Sequence, residues 1–204
     1  VDTSSRNRLQ GALVWCLCLA SAVSLINPIY PEQQWLQHAG TPVVVLLLFL
    51  TARRSYWSNF AFVCLITFLL LHVVGARYIY SEVPGGESLT WFTLGSPNIG
   101  RNHFDRLAHL AFGILVMPAL VEALRRDLRI DWARLSAVLI VLAVSCVYEV
   151  FEWLLTMMAA PHDAMQYNGQ QGDVWDMQKD MALAWVGALI ALPFSELGLK
   201  RTSN

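Results

Sequence analysis

Charge is what this chain has least of: only 14% of its 204 residues are Asp, Glu, Lys or Arg, against 56% hydrophobic. A soluble domain carries roughly a quarter charged residues, so the composition excludes an ordinary water-soluble globule. It points to a multi-spanning membrane protein. The charges that do occur nearly cancel, at a formal −1. They form no basic stripe with interleaved aromatics, which leaves no footprint for nucleic acid. Cysteine is scarce too, and Cys16, Cys18, Cys64 and Cys146 all fall inside apolar runs. Cys16-x-Cys18 is not a metal-finger spacing and no second pair answers it, so these read as small buried hydrophobes. There is no internal repeat and no low-complexity segment, and the connections are too short for a separate soluble domain. A single integral membrane domain over residues 1–204 is the expectation.

What is present is a succession of apolar runs, at about residues 9–26, 35–52, 57–74, 104–124, 135–158 and 176–197. Each approaches the roughly 20 residues that a spanning helix needs, which predicts an all-α polytopic bundle of about six transmembrane helices. The first run, behind Arg6 and Arg8, also fits a secretory signal peptide, but its length favours a retained span. Pro118 inside the fourth run predicts a kink or a locally loosened backbone ladder. Arg6, Arg8, Arg53, Arg54, Arg125, Arg126, Arg129, Arg134, Lys200 and Arg201 fall on one side of such a bundle, and Arg77, Arg101, Arg106 and Lys179 on the other. Positive residues accumulate on the cytoplasmic side. Both termini are therefore expected in the cytoplasm of a bacterial inner membrane, with the two long loops outside.

That topology sorts the ionisable residues by depth. Asp173, Asp176 and Asp180 stand at i, i+3 and i+7 ahead of the last run, on one helical face. Asp105 and His109, at i and i+4, open the fourth run. Glu149 and Glu152 share a face late in the fifth, and His72 lies near the outer end of the third. Four helices so deliver imidazoles and carboxylates to one outer-leaflet layer, where an unpaired carboxylate is costly. The inner half has almost no ionisable groups.

Oxygen and imidazole donors on facing helices are how carboxylate metal centres are built. The set His72, Asp105, His109, Asp176 and Asp180 suits a divalent Zn, Mn or Fe. Glu149 and Glu152 are the candidate proton-moving groups, and Arg77 and Arg101 the candidates for a phosphate or carboxylate headgroup. The bland alternative is an ionic network in which Arg77, Arg101 and Arg106 neutralise the acids. Tyr78, Tyr80, Trp91, Phe92 and Trp175 read as interfacial belt residues before they read as a cover over the site.

Four stretches resemble the YjdF-like family of bacterial inner-membrane proteins: His72-Val-Val-Gly-Ala-Arg-Tyr-Ile-Tyr-Ser-Glu-Val-Pro84, Arg101-Asn-His-Phe-Asp-Arg-Leu-Ala-His109, Glu149-Val-Phe-Glu-Trp153 and Gln171-Gly-Asp-Val-Trp-Asp-Met-Gln-Lys-Asp180. Glu82, inside the first stretch, joins Asp173 among the remaining candidates. The resemblance implies a small polytopic inner-membrane protein and carries no established activity. The order of Asp105 and His109, then glutamates, then an Asp before a final span is also loosely similar to VanZ-like membrane proteins.

Three functions stay open on these grounds. One is a metal-dependent hydrolase for a lipid or lipid-linked substrate. The second is a proton- or cation-coupled transporter, against which the missing repeat and the single layer of acids both count. The third is a non-catalytic membrane factor with a structural ion or salt network.

Overall fold

The computed structural model describes residues 3–54, 56–95, 100–158 and 171–197. Lys200 and Arg201, counted above among the cytoplasmic-side charges, lie outside them. Seven α-helices are formed by the described residues: α1 (Thr3–Ser24), α2 (Pro31–Gln37), α3 (Thr41–Arg53), α4 (Asn59–Arg77), α5 (Phe104–Leu124), α6 (Ile130–Met158) and α7 (Asp176–Ala191). No strand occurs among these residues. Counting α2 and α3 as one rod, Pro31–Arg53, four rods are long and apolar enough to cross a bilayer; the others are α4, α5 and α6. The 22-residue α1 and the 16-residue α7 pack along them.

Local chemistry explains the helix ends that matter. The second apolar run is broken at His38-Ala39-Gly40 because Pro42 has no N–H to give the His38 carbonyl, and its ring would meet that carbonyl. Thr41 N donates to His38 O instead, at 3.0 Å. Ser58 caps α4 from extended backbone, its hydroxyl accepting from Ala61 N at 3.2 Å. Asp173 Oδ1 accepts from Trp175 N at 3.1 Å, turning the chain into α7. At the other end of α7, Pro193 lies in a single 3-10 turn, Leu192–Phe194. The α5 helix, by contrast, runs without interruption through buried Pro118.

The helices form two groups with separate cores. Val14, Leu17, Leu48, Phe62, Ile66 and Val73 close α1, α3 and α4 on one another. Met117, Val121, Val138, Val141, Ala184 and Ala188 do the same for α5, α6 and α7. The groups meet along α4 and α5. The closest pairing is α5 with α7, made possible by Gly113 and Gly187: a Cβ at either would collide with backbone atoms of the opposite helix. Small residues at a crossing let helix backbones approach in this way.

A candidate metal centre and the cavity beside it

The close α5–α7 crossing fixes two carboxylate-bearing helices side by side, and α6 closes the third side. Asp105 and His109 are one turn apart on α5, and Asp180 sits in the second turn of α7. Their ligating atoms lie within 4.8 Å of one another, and all three residues are buried. His109 Nε2 is 3.7 Å from Asp105 Oδ1 and 3.2 Å from Glu149 Oε1 of α6. Glu152, one turn further along α6, is buried as well and hydrogen-bonds Tyr148. Asp180 is 2% exposed, and its Oδ1 has no hydrogen-bond partner among the described residues. A buried carboxylate oxygen left without a partner is costly, and Glu149 Oε1 in the same cluster likewise accepts no hydrogen bond from the described residues.

The neighbouring acids are satisfied differently. Asp176 takes Arg101 and also Arg106, the latter at 3.1 Å. Asp173 takes Arg106 at 2.5 Å and Lys179 at 2.6 Å. Arg106 is wholly buried and donates further to the carbonyls of Phe92 and Thr93, at 2.6 and 2.8 Å. One guanidinium therefore ties the loop after α4 to the start of α7. Asn102 does similar work: it exchanges hydrogen bonds with Gln171, both at 2.9 Å, and donates to Val83 O at 2.7 Å. His103, at the cap of α5, has its pKa held below the ordinary value by burial and by Arg106 and Arg101. Ionic pairing thus accounts for Asp173 and Asp176, while Asp105, His109, Glu149 and Asp180 gather as a separate group.

The other sequence candidates are placed elsewhere. Arg77 donates to the carbonyls of Ser24 and Ile26, at 2.5 and 3.1 Å, and fastens the end of α1. Glu82 is exposed. His72 stands apart from the three-residue cluster; its Nδ1 pairs with the Tyr80 hydroxyl at 2.5 Å, and its ring meets His38 edge-on at 5.9 Å. Both His72 and Tyr80 line a cavity of about 420 Å³ that is also lined by Asp105 and His109.

Two residues stand out: Tyr80, read from sequence first as a belt residue, and Glu122, which the sequence reading passed over. Tyr80 lines the cavity, whereas Trp91 and Trp175 are exposed as belt residues are. Glu122, near the other end of α5, is buried and accepts from Ser58 N at 2.8 Å and Ser58 Oγ at 2.7 Å. A carboxylate inside an apolar run was its available signal, masked by the adjacent Arg125 and Arg126.

Comparison with known proteins decides the lineage. A family described as predicted membrane protein (DUF2238) matches residues 9–201. The chain belongs to this family. It is also 35% identical over 168 residues to the inner membrane protein YjdF of Escherichia coli (strain K12), covering 78% of this chain and 76% of that protein. The YjdF-like resemblance and the all-helical membrane fold read from sequence both hold. No solved structure matches the chain.

Proposed function

We propose that this membrane protein is a metal-dependent hydrolase acting on a lipid or lipid-linked substrate at the periplasmic leaflet of the inner membrane. The observation that carries the reading is the buried, unpartnered Asp180 Oδ1 in a triangle with Asp105 and His109. Two carboxylates and an imidazole suit Zn, Mn or Fe. A divalent cation held by Asp105, His109 and Asp180 would supply Lewis acidity and would lower the pKa of a water toward neutrality. Glu149, beside His109, would serve as the general base, and Glu152 lies one turn further along α6. Arg101 and Arg106 hold Asp176 and Asp173, which keeps the start of α7, and so Asp180, in register. The positive-inside rule, which expects the arginine-rich ends in the cytoplasm, supports the periplasmic side for the site.

A second reading has one observation in its favour. The buried pairs of Arg101, Arg106 and Lys179 with Asp173 and Asp176 are what a purely structural salt network would contain. A relay across the membrane has less support. The clustered acids sit at one end of the bundle, and Glu122 at the other end is engaged in capping α4.

Turnover tests the proposal. Protein loaded with Zn, Mn or Fe is incubated with isotope-labelled inner-membrane lipids, and the products are resolved by mass spectrometry. Loss of one lipid class with wild type and not with His109→Ala is expected. Fully loaded wild type that leaves every lipid class intact contradicts the hydrolase.

A further inference from the structure

A second recess lies at the arginine-rich end of the bundle. There α7 ends at Ala191, and Pro193 lies in the 3-10 turn that follows. A groove of about 630 Å³ runs between α6 and the last two turns of α7. Of the residues that line it, Asp131 and Arg134 are charged, and all the others are apolar. These fall between Leu135 and Leu142 on α6 and between Trp185 and Pro193 opposite. Leu135, Leu139, Trp185 and Leu189 are each close to half exposed, so no described residue closes the groove. From Asp131 to Leu142 the helix rises roughly 16 Å, at about 1.5 Å per residue. That is close to half of the roughly 30 Å hydrocarbon core, so the groove is one leaflet deep. Trp132, exposed beside Asp131, suits the headgroup level.

The mouth of the groove carries one charge of each sign. Asp131 and Arg134 stand three residues apart, on one face of α6. Arg134 pairs with Glu196, which Arg125 also reaches, at 3.3 Å. Two guanidiniums on one carboxylate leave one positive charge over, and the Arg134 side chain is still 36% exposed. Asp131 is exposed and forms no ion pair among the described residues. The complement of this mouth is a headgroup with both a phosphate and an ammonium. A purely anionic headgroup would set its phosphate on Arg134 with Asp131 repelling it. A quaternary ammonium has no N–H to give Asp131, whereas a primary one has three, as on lysine.

We propose that this groove binds one aminophospholipid of the leaflet at the arginine-rich end, the cytoplasmic one by the positive-inside rule. Its phosphate accepts from Arg134, its primary ammonium donates to Asp131, and one acyl chain runs inward past Leu139 to Trp185. The planar guanidinium can give one edge to Glu196 and another to phosphate. The groove lies at the opposite end of α6 from Glu149, so this lipid is a partner of the fold and not a substrate of the acidic cluster.

The experiment places full-length protein in phosphatidylcholine nanodiscs. Increasing amounts of phosphatidylethanolamine, phosphatidylglycerol or phosphatidylcholine with bromine midway along one chain are included. Bromine quenches an indole it touches, and Trp185 lies about 10 Å inward of Leu192, level with midchain. Subtracting Trp185→Phe from wild type isolates its signal. The brominated phosphatidylethanolamine is expected to reach half-quenching at about fivefold lower mole fraction than the phosphatidylcholine, the scale of one hydrogen bond gained. Asp131→Asn should abolish that advantage, and Arg134→Gln should weaken phosphatidylethanolamine and phosphatidylglycerol alike. Equal quenching by all three lipids in wild type overturns headgroup recognition. Strongest quenching by phosphatidylglycerol makes the site one for anionic lipid and overturns the paired-charge reading. Trp185 untouched by every brominated lipid shows that protein, such as a second copy of the chain, covers the groove, and overturns lipid binding. A preference unmoved by Asp131→Asn overturns the role of Asp131.

Discussion

His109 Nε2 and Glu149 Oε1 lie 3.2 Å apart, joining α5 to α6 at the centre of the acidic cluster. In the proposed enzyme Glu149 is the general base, while Asp105, His109 and Asp180 are the three ligands. Glu149→Gln keeps the shape and removes the base. The expected result is unchanged metal content with turnover reduced about 10²–10⁴-fold, the usual contribution of a general base. Metal loss in this variant would make Glu149 a ligand instead.

Arg106 is a buried cation with four partners: Asp173, Asp176 and the carbonyls of Phe92 and Thr93. Breaking a buried pair by deleting one partner costs about 3–5 kcal/mol. Arg106→Met should therefore lower the melting temperature in detergent by about 10 °C or more. Arg106→Lys keeps the charge but not the fork, and should fall between the two. A wild-type melting curve for Arg106→Met would show that this network does not hold the fold.

The crossing of α5 and α7 is set by glycines, so it should fail by overpacking. Gly113→Ala puts a methyl group against Ala184 and Ala188 backbone, and Gly187→Ala does so against Leu110 and Ile114. Each is expected to cost about 1–3 kcal/mol. Moving α7 from α5 also separates Asp180 from Asp105, so metal affinity should fall with stability. Thermal melts and chelator competition on the same samples check both effects.

At the opposite end, Glu122 caps α4 through Ser58. Glu122→Ala should destabilise by about 1–3 kcal/mol, because Ser58 N and Oγ lose their buried acceptor. With Ser58→Ala the effects should be less than additive. Metal content should not change, which makes this pair the control for destabilisation without damage to the site.

The apolar runs were legible because bilayer thickness dictates helix length, and the carboxylates because charge inside such a run demands a reason. Hydropathy could not place the break at His38-Ala39-Gly40, which Pro42 imposes through one missing donor. Nor could it divide the acids into an arginine-paired set, Asp173 and Asp176, and the cluster around His109. That division depends on how Arg101 and Arg106 reach across from the start of α5. Tyr80 was hidden for a different reason: its position depends on two left-handed residues after α4, and Ile79-Tyr80 carries no glycine to announce the turn. Arg77 and Glu82 stand near the other motif residues in sequence, yet one fastens α1 and the other faces outward.

The most direct test of the central claim is metal content, by elemental analysis of detergent-purified protein. Wild type, His109→Ala, Asp180→Asn and Asp173→Asn are compared after incubation with Zn, Mn and Fe. The account predicts a stoichiometric ion in wild type and in Asp173→Asn, and its loss in His109→Ala and Asp180→Asn. A well-folded wild type that holds none of these ions contradicts it, and would leave the salt network as the explanation for the buried acids.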